Sequence, residues 1–325
     1  MSEIKFFEKP KDGESWDVAI IGSGPSALTA AIYSTRGAAS TLVLAGDKWG
    51  GQLMLTTTVD NFPGFPEGIQ GPELMQNMRS QAERFGAEII DKNAIEIDTS
   101  NKPFTIKTAD ASYTANSIII ATGADTRWLG VPGEEKLRGR GVSSCAPCDA
   151  PFFKDKKVAV IGGGDAAMEE ALVLTKYASE VFVIHRRDSF KASQAMQQRV
   201  LNNEKIKVIW NSDVIEFLGE EKLEKLKLKN SQTEEVTEVD FQGAFVAIGH
   251  TPSTEIFKEK VNLDEKGYVV SVPNEKFHRS TSVDGVFVSG DVHDYYYKQA
   301  ITASAFGCMA AMEVLKYLEK EGPAY

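Results

Sequence analysis

Two short apolar runs, each ending in a glycine cluster and each followed by a helix-like stretch, constrain this chain more than any other feature. The first is Asp17-Val18-Ala19-Ile20-Ile21, which runs into Gly22-Ser23-Gly24-Pro25-Ser26-Ala27 and then a helix-like stretch over residues 28–35. The second is Lys157-Val158-Ala159-Val160-Ile161, which runs into Gly162-Gly163-Gly164-Asp165-Ala166-Ala167 and then a stretch over residues 168–177. A continuous apolar run suits a parallel strand covered on both faces. Strand, glycine turn and helix together open a dinucleotide-binding βαβ unit. The two openings lie 140 residues apart, so the chain is expected to hold two such units.

Other strand signals arrange these units. Ser117-Ile118-Ile119-Ile120-Ala121-Thr122-Gly123 precedes the second unit and Ala244-Phe245-Val246-Ala247-Ile248-Gly249-His250 follows it. Gly285-Val286-Phe287-Val288-Ser289-Gly290-Asp291 is a late strand ending in Gly-Asp, before a long helix over residues 299–319. The expected fold class is α/β with two Rossmann-like domains, one inserted into the other. The outer domain takes residues 1–122 and 249–325, and the inserted domain takes 123–248. Residues 220–238, rich in lysine and glutamate, read as solvated strands and turns.

Composition narrows the partners. A net charge of −10 argues against nucleic acid or an anionic membrane. No apolar run approaches the ~18–20 residues of a membrane span. The start, residues 1–16, lacks the apolar stretch of a targeting signal, so a cytoplasmic location is expected.

In the first turn, Gly22 serves the tight bend, Gly24 the close approach of a pyrophosphate, and Ala27 the packing of helix on strand. Helix-start N–H groups then hold the anion. The next strand, Ser40-Thr41-Leu42-Val43-Leu44, ends in Ala45-Gly46 without the usual acidic ribose reader, so this turn alone selects no ligand. The second unit is more specific. Its next strand, Glu180-Val181-Phe182-Val183-Ile184, ends in His185-Arg186-Arg187-Asp188, where the ribose is read. Two guanidinium groups there favour a 2′-phosphate, hence NADPH over NADH.

Cys145-Ala146-Pro147-Cys148-Asp149 is the third feature. Two intervening residues let the sulfurs close across a helix start, whose dipole lowers a thiol pKa. Asp149 is the candidate general acid. A zinc site needs about four ligands, and Cys308 with His185, His250, His278 and His293 offers no companion pair. An inert buried pair is the other alternative. Cys308, in a helix of small residues, reads as packing.

Taken together, these motifs closely resemble the low-molecular-weight thioredoxin reductases, over nearly the whole chain from Asp17 to Leu318. The resemblance rests on Gly22-Ser23-Gly24-Pro25, Gly50-Gly51-Gln52-Leu53, Asp60-Asn61-Phe62-Pro63-Gly64, Ala121-Thr122-Gly123 and the CxxC with Asp149. It also rests on Gly162-Gly163-Gly164-Asp165-Ala166-Ala167-Met168-Glu169-Glu170, His185-Arg186-Arg187-Asp188, Gly290-Asp291-Val292 and Gln299-Ala300. It implies FAD on the first turn, held by Gly22, Ser23, Gly24, Pro25 and Ser26, with Gly51, Gln52, Leu53, Asn61, Ala121, Thr122 and Gly123 nearby. Gly290 and Asp291 would meet the ribityl or phosphate region. Lys298 would lie near the flavin phosphate, and Gln299 and Ala300 would face the flavin ring. It implies NADPH on Gly164, Asp165 and Ala166, with His185, Arg186, Arg187 and Lys191 around the 2′-phosphate. Cys148 would be the flavin-side sulfur and Cys145 the thiol that attacks oxidised thioredoxin.

The resemblance further implies a homodimer whose inserted domain rotates about linkers near Gly123-Ala124 and Gly249-His250, without a metal. There are departures. Pro147 lies between the cysteines, Ala150 replaces a usual glycine, and Lys191 and Lys298 stand where arginine is usual. The expected activity is NADPH-dependent reduction of thioredoxin through FAD and the Cys145–Cys148 disulfide. Competing readings are a different small disulfide acceptor, a flavin–NADP reductase that needs no CxxC, and a redox-sensing flavoprotein.

Overall fold

The computed structural model describes residues 7–11 and 13–321. The expectation about residues 1–16 therefore falls partly outside the described residues. The chain forms two compact units. One runs to Asp125 and resumes at Thr251; the other is Thr126–His250. The crossings are the short strands Ala124–Thr126 and His250–Pro252.

The first unit is built on a parallel sheet. Its order is Glu88–Ile90, Thr41–Leu44, Trp16–Ile21 and Ser112–Ile120, with Val286–Val288 parallel to the carboxyl half of the last. Phe104–Lys107 and Glu96–Asp98 add an antiparallel edge. Val18, Ala19 and Ile20 are fully buried, as both-face covering demands. Ile21 pairs in register with Leu44 and Ile120, so three strands end together beside Gly22.

The helix after this strand is Pro25–Arg36, three residues earlier than the sequence pattern suggested. The reason is local: Gly24 is extended at the N-cap and Pro25 is preset for the first helical position. The closing helix Ala300–Glu321 packs on it, burying Ala310, Ala311 and Val314 with Ala27, Ala30 and Ala31. Gly307 permits this approach, since a Cβ there would lie 2.2 Å from Ser26 O.

Residues Ala300–Glu319 are long and apolar enough to cross a membrane by length and composition only, and Glu313, Lys316 and Glu319 interrupt the apolar run. Its buried face belongs to the core of the first unit.

The second unit repeats the plan. Five parallel strands run in the order Val142–Ser143, Gly243–Val246, Lys157–Ile161, Glu180–Ile184 and Ile206–Ile209. The order reverses beside Lys157–Ile161, which places the second glycine turn at a topological switch point, where open α/β sheets bind ligands. The lysine- and glutamate-rich stretch contributes two strands, Lys225–Asn230 and Val236–Asp240, to an antiparallel meander laced by Lys225–Glu238 and Lys227–Glu216.

Candidate functional site

The first glycine turn is shaped by its neighbours. Gly22 has φ +126°, and a Cβ there would lie 2.2 Å from Ala121 O, so no other residue fits. Nothing lies within 4 Å of where a Gly24 Cβ would be, which leaves room for a phosphate at the start of Pro25–Arg36. Ser23 Oγ donates to Ala45 O (2.6 Å) and accepts from Gly50 N–H (2.9 Å). Ser26 Oγ and Ser289 Oγ share a hydrogen bond of 2.5 Å. Both hydroxyls tie loops together around the turn.

Other residues expected around the first nucleotide gather in the same unit. Gly51 has φ +67°, and its Cβ position lies 3.3 Å from Gly24 Cα. Gln52 Nε2 donates to Asp125 (2.9 Å), and Asn61 Nδ2 donates to Gln299 Oε1 (3.2 Å). Leu53 precedes Gly71, with Leu53 O 2.2 Å from that glycine's Cβ position. Thr122 Oγ1 donates to Ser253 O (2.7 Å), while Gly123 O accepts from Ser253 N–H (3.0 Å). Gly290 lies over Ser26 and precedes the half-buried Asp291. Lys298, with φ +48°, donates its N–H to Asp294 (3.2 Å), and Ala300 opens the closing helix.

Asp291 is chemically the most telling of these. Its Oδ1 is buried with no hydrogen-bond partner among the described residues. Burial, with the carboxylate of Asp294 added, pushes its carboxyl up to about 7, and Lys298 only partly opposes this. A buried, unsatisfied acceptor is costly unless a ligand donor completes it. The open space at Gly24 and the orphan oxygen of Asp291 together fit a bound dinucleotide.

Around the second turn, a Gly163 Cβ would lie 2.2 Å from the His185 ring. His185 is buried, packs on Phe190 and Trp210, and meets Ser189 O at 3.0 Å. Burial lowers its pKa. The ring thus supports the turn by filling the space that Gly163 leaves. Arg186 and Arg187 are exposed and make no ion pair among the described residues. Asp165 Oδ1 accepts from Ser193 N–H (2.9 Å) and Oγ (2.8 Å), while Gly163 O accepts from Lys191 N–H (2.7 Å). These bonds fold residues 189–193 over the turn, leaving the Lys191 side chain exposed. Gly164 has open space at its Cβ position and Ala166 is exposed beside it. Gly249 O accepts from Arg127 N–H (2.9 Å), and His250 follows at the crossing.

Cys145 and Cys148 form a disulfide, with Cα atoms 5.3 Å apart. Cys145 caps the four-residue helix Ala146–Asp149, with Pro147 in its first turn, where a missing N–H costs nothing. Among the described residues no group of three or more His, Cys, Asp or Glu could hold a metal. Burial raises the pKa of Asp149, and a hydrogen bond from Ser143 partly offsets this. A carboxyl whose pKa is raised is better matched to protonating a departing sulfur beside it. Two further residues here were given no role from sequence. Ser143 Oγ accepts from Cys145 N–H (3.1 Å), and Glu170 Oε2 accepts from Ala146 N–H (2.5 Å). Glu170 is 24 residues away in sequence, so no local spacing could reveal it.

The pyridine nucleotide-disulphide oxidoreductase family matches residues 16–307. The thioredoxin reductase of Rickettsia prowazekii (strain Madrid E) is 48% identical over 307 residues, covering 93% of this chain and 98% of the relative. That of Streptomyces coelicolor is 49% identical over 305 residues, covering 93% and 94%. The crystal structure of thioredoxin reductase from Streptococcus pyogenes MGAS5005 is similar with a TM-score of 0.89 at 39% identity, covering 94% of this chain and 99% of that one. The chain belongs to the thioredoxin reductase family of pyridine nucleotide-disulphide oxidoreductases.

Proposed function

We propose that the chain binds FAD in its first unit and NADPH in its second, and reduces thioredoxin through Cys145 and Cys148. The observation that carries this reading is the closed disulfide beside Asp149, in the unit that also holds the Arg186–Arg187 pair. FAD, when bound, supplies a two-electron carrier between NADPH and the disulfide.

Gly22, Gly24 and the N–H groups at the start of Pro25–Arg36 hold its pyrophosphate, and Asp291 accepts a ligand hydroxyl. Gly51, Gln52, Leu53, Asn61, Ala121 to Gly123, Gly290 and Lys298 to Ala300 shape the rest of that site. Arg186 and Arg187 grip the 2′-phosphate of NADPH, and Lys191 adds charge. Gly164 and Ala166 leave space for its pyrophosphate, and Gly249 and His250 form one of two crossings about which the second unit rotates.

When the disulfide takes up an electron pair the S–S bond breaks, and Asp149 gives its proton to a departing sulfur. The sulfur so protonated returns its proton to Asp149, and the Cys145 thiolate attacks the acceptor's disulfide, forming a mixed disulfide and releasing the acceptor's other sulfur as a thiolate. The Cys148 thiolate attacks Cys145 Sγ, which re-forms the internal bond and frees the acceptor as a dithiol once protonated.

The exposed Tyr33, Ile301, Met309 and Met312, on the paired helices of the first unit, support a homodimer. A cytoplasmic setting suits an exchangeable dithiol. Anaerobic titration with NADPH, then with oxidised thioredoxin, tests the reading. Flavin bleaching reversed by thioredoxin is expected, and bleaching that survives loss of Cys148 while thioredoxin is still reduced would refute it.

A further inference from the structure

The CxxC turn is held from outside by a carboxylate. Ala146 is fully buried, and its N–H donates to Glu170 Oε2 at 2.5 Å. Glu170 lies in the second dinucleotide helix, Asp165–Leu174, which packs directly on Ala146–Asp149. The N–H groups of Cys148 and Asp149 turn back to Cys145 O at 3.2 and 3.1 Å, and that of Cys145 meets Ser143 Oγ. Ala146 N–H is one peptide bond from the sulfur-bearing Cys145.

In an unencumbered CxxC helix start, such an N–H stabilises the thiolate of the first cysteine. Here Glu170 occupies that donor and adds a negative charge, and both effects disfavour a second anion nearby. Asp149 lies on the same turn, and its carboxyl is raised by burial. The segment Ala150–Phe153, also packed on the helix, has no ionisable side chain. The two strands beneath the helix bear charge only at Lys157 and Glu180, their first residues. Arg199, from the neighbouring helix Gln194–Leu201, donates to Met196 Sδ at 3.5 Å. On the helix itself, Glu169 is exposed and Asp165 is tied to Ser193.

We propose that Glu170 is a positioning residue for disulfide turnover, clamping the CxxC turn through Ala146 N–H and holding the Cys145 thiol less ionised than a bare helix start would. The negative charge of the reduced pair is thereby kept off the outward-going sulfur. This inference rests on the reading that Cys145 and Cys148 cycle between disulfide and dithiol.

The test is a pulse of iodoacetamide on NADPH-reduced holoenzyme across a pH series, with alkylation at Cys145 and Cys148 separated by peptide mass spectrometry. Glu170→Gln keeps an acceptor for Ala146 N–H and removes the charge. Its Cys145 midpoint is expected to fall, with alkylation below the midpoint faster by roughly three- to tenfold. Glu170→Ala is expected to move it in the same direction. If it fails to fold, the near-isosteric Gln variant decides alone. An unchanged Cys145 midpoint in Glu170→Gln overturns the proposal while leaving the reaction intact. If wild-type protein shows no alkylation of either cysteine after NADPH, the underlying reading fails instead.

Discussion

Asp291 gives the sharpest prediction, because its environment sets both a sign and a size. The carboxyl rises from an ordinary 3.8 to about 7, chiefly through burial and secondarily through Asp294, against the opposing pull of Lys298. Between those values the folded chain keeps a proton that the unfolded chain has lost. Stability of the apoprotein is therefore full below 3.8, falls as pH rises through this window, and is lower by about 4 kcal/mol above it. Asp291→Asn removes that titration. In urea unfolding of apoprotein from about pH 5 to pH 8, the variant should gain on wild type as pH rises, by a few kcal/mol at the alkaline end. Parallel pH profiles for the two proteins would refute the assignment.

The same carboxyl makes a second demand on FAD. A hydroxyl donated to Oδ1 favours the ionised form, so binding FAD below pH 7 should release a proton. Calorimetry in two buffers of different ionisation heat measures that proton directly. Asp291→Asn should abolish the release and weaken FAD by roughly 1.5–3 kcal/mol, the worth of a hydrogen bond to a charged group. Proton release that persists in the variant would place the titrating group elsewhere.

Other predictions follow from single contacts. Gly22→Ala forces a Cβ to 2.2 Å from Ala121 O at a positive φ, and should give protein purified without flavin, read from its visible spectrum. Arg186→Ala with Arg187→Ala should raise KM for NADPH by roughly 10- to 100-fold and leave that for NADH nearly unchanged; equal losses for both would detach these residues from the 2′-phosphate. Asp149→Asn should slow thioredoxin reduction by roughly 10²-fold. In wild type the protonated form is the donor, so activity should fall as pH rises through the raised pKa of Asp149, and the variant should lose that limb. Met309→Lys on the exposed face of the closing helix should shift sedimentation from dimer to monomer.

Much of this was legible in the sequence because the strands are covered on both faces. Lys157–Ile161 and Glu180–Ile184 are uninterrupted apolar runs, and glycine marks where they stop. The helix starts were misplaced by three residues at both turns, because Pro25 and Asp165 act as first helical positions rather than turn residues. What sequence could not show is which polar groups are already engaged. Ser23, Ser26 and His185 stand at ligand-reading positions, yet the two hydroxyls bridge loops and the ring fills the space left by Gly163. Each partner is 22 or more residues distant for Ser23 and Ser26, so only the fold reveals the pairing.

The two turns therefore use one backbone plan in different ways. In the first, serine hydroxyls brace the loops around Gly24, and the carboxyl of Asp291 arrives from a turn near the other end of the chain. Under the proposed function that arrangement suits a ligand recognised by its hydroxyls and meant to stay. In the second, the His185 imidazole braces the turn and Arg186 and Arg187 are exposed, which under the same proposal suits a phosphate met at the surface and readily released. A tightly held carrier and an exchanging donor are what a two-step transfer to a disulfide requires. The CxxC lies in the same unit as the second turn, and Glu170, on the helix that begins at that turn, accepts from Ala146 N–H and so ties the CxxC segment to that helix.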